Sequence, residues 1–220
     1  MGFSPFIALA LAAAPLELPD VLRRLGDAAE AREAAGRCAY HEVTVVEELA
    51  SDGTVKGSEE RTYQAELEGV TVTRRDKQGV VAKGEPLADL LVEPKGAKGR
   101  KPARSPFHPA LRPQFRFELK QGPGEALARV TLEPLKPDVE RPRGEAVVRR
   151  SDGRLEELKV SPSKVPFLLQ ALALRFVFED TPCGRLATVI ETEGRGEGLI
   201  VETRFRTRTV LSAHAPVKSR

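Results

Sequence analysis

Two hydrophobic periods divide the chain. Leu18, Val21, Leu22, Leu25, Ala28 and Ala29 recur at three- and four-residue spacings, which lays one apolar stripe along a helix. The pattern predicts a helix over 19–35, with Pro19 in its first turn and Gly36 as its stop. From Ala39 the period changes to two. His41, Val43, Val45 and Leu49 alternate with Glu42, Thr44 and Glu48, so the first set reads as the dry face of a strand. Asp52-Gly53 supplies a tight turn, and further strands are expected over 55–67, over 70–75 and near Val80 and Val81.

The rhythm breaks in the middle and then resumes. A short helix is expected over 86–92. Residues 94–113 hold Lys95, Lys98, Arg100, Lys101, Arg104 and Arg112 among many Pro and Gly, which predicts a mobile basic insertion. It reads either as a solvated loop or as a docking patch for anions. Beyond it come alternating runs. Phe115, Phe117 and Leu119 face one way, as do Ala126, Ala128, Val130 and Leu132 in the next run. Strands over 145–150 and 155–160 flank the turn Ser151-Asp152-Gly153. Leu174, Phe176 and Phe178 form another apolar face, followed by strands over 186–192 and 199–210. Gly194-Arg195-Gly196-Glu197-Gly198 between these two reads as a hairpin turn. Residues 165–172 (VPFLLQAL) are apolar on nearly all sides and read as a short buried helix or lid.

The sum is an α+β fold: a curved antiparallel sheet, or incomplete β-barrel, with an N-terminal helix and a short helical lid. One dry and one wet face per strand is the mark of an antiparallel sheet with one side in water. The dry side must be covered, and two short helices cover only part of it. An apolar concavity is the expected remainder, and a hydrophobic ligand is what it would take.

The N-terminus changes the expected compartment. Phe6 to Ala14 is an unbroken apolar run ending in small residues, so residues 1–14 read as a signal peptide, with Ala10-Leu11-Ala12 placing cleavage after Ala12. A buried N-terminal strand or helix is the other reading. Residues 15–220 are then expected as a single exported domain, with no transmembrane span. Export permits a disulfide, and Cys38 and Cys183 are the two cysteines. They either pair across the fold or stay apart as small buried residues.

Composition and charge remove several function classes. The chain has 220 residues, 35 basic against 32 acidic, for a formal charge of +3, too balanced for a dedicated nucleic-acid binder. Aromatics are 5% and fall mostly on apolar strand faces, where they cannot stack bases. No metal site and no cofactor are expected from three His and two Cys. Cys38 and His41 lie three apart and so face opposite ways on a strand, as do the adjacent pairs Glu47-Glu48 and Glu59-Glu60. His108 in the Pro-rich loop and His214 in the tail read as bystanders. No catalytic residue is assigned, and the chain is not expected to be an enzyme.

From the helix through the hairpins to GEAVVRRSDGRLEELKVSPSKVPFLLQALALRFVFED, the order of elements resembles the LolA/LolB-like superfamily of periplasmic lipoprotein-sorting proteins, including the sensor domain of RseB. The stretch from Arg116 to Thr192 carries most of the likeness, with Thr131 to Pro137 (TLEPLKP) ending one strand and Gly144 to Gly153 forming a hairpin. The resemblance implies a half-barrel around a greasy cavity. It implies a periplasmic carrier that binds a lipid acyl chain or a lipoprotein and does no covalent chemistry. Expected lining residues are Phe115, Phe117, Val130, Leu132, Phe176, Phe178 and Phe205, with Leu168 and Leu169 as a lid. The absence of Trp and the basic insertion depart from the family pattern. The alternative is an envelope sensor or scaffold that binds a protein partner without lipid. A monomer is expected in either case.

Overall fold

The structure, a computed structural model, describes residues 17–34, 38–68, 71–75, 81–84, 105–165, 169–197 and 202–216. Helix α1 spans Leu18–Ala34. Val21 and Leu25 are buried and Leu18 and Leu22 pack beside them, while Ala28 is exposed, so the stripe is narrower than its spacing suggested. The strands are β1 (Cys38–Leu49), β2 (Val55–Glu68), β3 (Thr71–Arg75), β4 (Val81–Gly84), β5 (Phe115–Gln121), β6 (Leu127–Pro134), β7 (Pro142–Arg149), β8 (Leu155–Pro162), β9 (Leu169–Thr181), β10 (Gly184–Glu197) and β11 (Glu202–Pro216). They form one eleven-stranded sheet in the order β4-β3-β2-β1-β11-β10-β9-β8-β7-β6-β5. Every pair is antiparallel. β4 and β5 are left as edges, so the sheet is not closed among the described residues.

Register sorts the side chains into two faces. One row runs Leu119, Val130, Ala146, Leu158, Phe176, Ile190, Thr209, Thr44 from β5 to β1. Its members from Val130 to Ile190 are buried in the core that takes in Val21 and Leu25 of α1. The opposite face is a ladder of alternating charge. Arg129 pairs with Glu145 at 3.2 Å, Arg175 with Glu157 at 2.6 Å and with Glu191 at 2.8 Å, and Arg206 with Glu47 at 2.6 Å. Such half-exposed pairs contribute little each; their main consequence is that this face cannot be turned inward. Burial works against the charge on Glu157, but hydrogen bonds from Arg175 and Lys159 outweigh it and hold the carboxyl below its ordinary range.

Several expectations are corrected. Residues 105–113 are not a mobile insertion: Phe107 is buried in the core and Gly26 of α1 lies 3.4 Å from its carbonyl oxygen, measured from the position of an added Cβ. His108 is buried, and its Nδ1 accepts a hydrogen bond from the Ala110 amide at 3.1 Å. The rest of the basic stretch, 94–104, and the helix expected over 86–92 lie outside the described residues. Leu169 to Leu172 open β9 rather than form a helical lid. Gly194 to Glu197 belong to β10, and residues 198–201 are outside the described set. At the start of β1 the faces are the reverse of the expectation: His41 is exposed, while Tyr40 and Glu42 are buried; at its end, past an irregularity, Leu49 is buried and Glu48 exposed as expected.

The sheet folds sharply at one corner. The β10–β11 ladder ends at Val189–Val210, whereas β10 stays with β9 down to Gly184–Thr181 and β11 stays with β1 out to Pro216–Cys38. Both strands carry an irregularity there, in β10 between Ala187 and Val189 and in β11 opposite Tyr40, where Ala213 has φ 51°. Bulges bend and twist the strands that hold them. Cys38 and Cys183 are joined by a disulfide with Cα atoms 6.0 Å apart. β1 and β10 are both neighbours of β11, so flat strands would separate these residues by roughly 10 Å. The tip of the β9–β10 hairpin therefore leans across the end of β11. His214 is not in a loose tail: it lies in β11, its ring 6.2 Å from that of Tyr40.

Two predictions follow from this corner. The disulfide closes a span of 145 residues, so replacing both cysteines with serine should cost about 2–5 kcal/mol in chemical denaturation. Loss of under about 1 kcal/mol would mean that β11 holds the corner unaided. Burial pushes His214 below its ordinary value of 6.5, with the Glu179 carboxylate pulling the other way. The unfolded chain therefore takes up the proton first. Stability should be intact above about pH 6.5 and should fall as acid titrates the unfolded His. His214→Phe should flatten that part of the stability profile; an unchanged slope counts against the assignment.

Candidate functional site

The core face is where the sequence places a ligand. Phe115, Val130, Leu132 and Phe176 share one buried cluster, and Phe117 and Phe178 pack against it. Their rings are close: Phe115 to Phe117 is 6.0 Å, and Phe107 to Phe117 is 5.7 Å. Leu169 is half-buried at the start of β9, and Leu168 lies outside the described residues. Phe205 stands apart. It pairs with Gly194 across the β10–β11 ladder, and its ring fills the space that a side chain there would occupy.

A depression opens on this face between β7, β8 and β9. It has room for about 10 Å³, one water molecule, and is lined by Val139, Glu140, Pro142, Val160, Ser161, Pro162 and Leu174. Pro142 lies opposite Pro162, and Gly144 opposite Val160. Pro142 and Pro162 carry no amide proton, so at these two positions the wall offers no backbone donor. The adjoining β6–β7 loop is tied to the start of the β8–β9 connection. Ser163 Oγ accepts from the Asp138 amide at 2.8 Å and donates to the Asp138 carbonyl at 2.9 Å. Leu135 and Val165 are exposed on the connections that follow β6 and β8.

Beyond Leu174 the same face becomes polar. Its register row continues through Thr192 of β10, Thr207 of β11 and Val46 of β1. All three are half-buried. One row along, the hydroxyls of Thr44 and Thr209 bond to each other at 2.8 Å, and Thr44 donates to Glu42 Oε1 at 3.1 Å. The sequence reading missed this threonine strip. Thr192, Thr207 and Thr209 are visible as alternate residues, but only register shows them side by side. It also missed Val139, Pro142 and Pro162, which depend on loop closure.

The class is an open antiparallel sheet with one helix on its inner face. No family model and no curated protein matches the chain. Among solved structures it is similar to a LolA superfamily protein from Nitrosomonas europaea, at 11% identity and a TM-score of 0.42, covering 94% of this chain and 96% of that one. It is similar to a domain assigned to outer membrane lipoprotein sorting from Vibrio parahaemolyticus, at 12% identity and a TM-score of 0.44, covering 86% and 90%. It is also similar to the MucA/MucB complex of Pseudomonas aeruginosa, at 11% identity and a TM-score of 0.30, covering 91% and 100%. Among the described residues no helix is long and apolar enough to cross a membrane, and no group of three or more His, Cys, Asp or Glu converges as a metal site.

Gly144 tests the geometry of the depression's wall. Its φ is 156°, and a Cβ there would sit 2.0 Å from the Lys159 carbonyl oxygen and 2.9 Å from the Val160 Cα. Backbone cannot step aside as a side-chain tip can. Gly144→Ala should destabilise the fold by about 3 kcal/mol or more in thermal or chemical melts. A change under about 1 kcal/mol would mean that β7 and β8 do not approach so closely.

Proposed function

We propose that this chain is a non-enzymatic module of the cell envelope that holds an acyl chain, of a free lipid or of a lipoprotein, against the inner face of its sheet. The observation that carries the reading is the uneven cover of that face. One helix serves eleven strands among the described residues, and an apolar depression lies at Val160 and Leu174. Each methylene taken from water onto such a surface contributes about 0.8 kcal/mol, so a short run of chain gives useful affinity. The depression itself is small, so the ligand must displace side chains around it.

The apolar run at 6–14 supports export to the periplasm, with residues 15–220 as the working domain. The disulfide fits an oxidising compartment. Among the described residues no group on the inner face is arranged for covalent chemistry, and the resemblance read from the residues points the same way. Phe115, Phe117, Val130, Leu132, Phe176 and Phe178 then form the floor on which the chain packs, and Phe205, Leu168 and Leu169 its margin.

The test is uptake of a fluorescent long-chain fatty acyl probe by the purified protein. Saturable, stoichiometric uptake is expected. Leu174→Trp fills the depression and should weaken uptake at least about tenfold while the circular dichroism spectrum stays unchanged. No saturable uptake by the unaltered protein would overturn the reading.

A further inference from the structure

We infer that the ligand is an amphiphile whose ester or amide linkage lies over Thr192 and Thr207 while its alkyl part enters the depression at Val160 and Leu174. This rests on the acyl-binding reading and narrows it to a substrate class. The register row carries the inference. Val160, Leu174, Thr192 and Thr207 are consecutive partners across β8, β9, β10 and β11, so they stand in line on one face. Neighbouring strands are about 4.8 Å apart. The hydroxyls therefore lie roughly 5 and 10 Å from Leu174, across the strands.

The row changes character abruptly. On the Leu174 side its members are apolar and buried: Leu132, Val160 and Leu174. Across the β9–β10 boundary they are half-exposed threonines. A pure hydrocarbon lying along it would cover the two hydroxyls without offering them a partner, which is unfavourable. A carbonyl or ester oxygen at that place accepts a hydrogen bond from either. Gly194 is the next inward residue of β10 and presents no side chain, and the Phe205 ring packed on it makes an apolar wall for the linkage. The charged residues that alternate with these threonines, Glu191, Arg206 and Arg208 among them, are on the outer face, and these three are in ion pairs. The linkage is thus met by neutral hydroxyls, which suits a neutral ester or amide better than a free carboxylate.

The experiment compares two probes by displacement of the fluorescent acyl chain: a monoacylglycerol, and an n-alkane of the same chain length solubilised in the same detergent-free carrier. The unaltered protein should prefer the monoacylglycerol. Thr192→Val/Thr207→Val keeps shape and volume and removes both hydroxyls. It should weaken monoacylglycerol binding by roughly fivefold per hydroxyl lost and leave alkane binding equal or tighter. Thr192→Ser/Thr207→Ser should restore the preference. If both ligands bind and the valine variant keeps the original ratio, the threonines do not read the linkage, and acyl binding stands without this inference. If neither ligand binds the unaltered protein, the acyl-binding reading and this one fall together.

Discussion

Arg175 lies between Glu157 and Glu191 on one face of the sheet, while its chain neighbours Leu174 and Phe176 are buried on the other. That opposition of faces is the constraint on which the rest depends. Slipping β9 by one residue would place the guanidinium in the core and Leu174 among the carboxylates. Charge pairing on the wet side thus secures the register, and register in turn assembles the apolar field and the threonine strip on the dry side. The pairs add modest stability individually, yet they exclude the alternative alignments.

A wide sheet with such a face has few ways to bury it. Here α1 and the Phe107 segment cover the β5 side, and the Cys38–Cys183 disulfide ties the start of β1 to the tip of the β9–β10 hairpin. Between these two places lie the depression and the threonine row. The functional reading grows from this division of cover: the β5 side is covered by a helix, and the row beyond Leu174 carries half-buried threonines. A disulfide at the corner also means that oxidation is part of the architecture rather than an addition to it.

Much of this is legible in the sequence, because period-two alternation survives wherever a strand has one wet face. β5 through β9 could be placed from Phe115, Val130, Leu158 and Phe176 alone, and α1 from its leucine spacing. Errors arose where tertiary context overrides local pattern. In the first half of β1 the buried residues are Tyr40 and Glu42, because Thr44 bonds the carboxylate and a polar residue thereby becomes tolerable inside. Phe107 was hidden by the prolines and basic residues around it, although one large aromatic in such a stretch is itself a hint of anchoring. Gly194 resembled a turn glycine and serves instead as clearance for a ring. The candidate site was half-readable: its aromatic floor shows as alternation, but the depression and the threonine strip exist only once distant strands are set side by side.

Methyl NMR on protein labelled at Leu and Val reports most directly on whether the inner face accepts a chain. Titration with a long-chain monoacylglycerol should shift the Val160, Leu172 and Leu174 methyls, saturating at one equivalent, while Val45 and Val177 on the opposite face stay in place. Methyl positions on the inner face that remain fixed through a large excess of lipid would contradict the account.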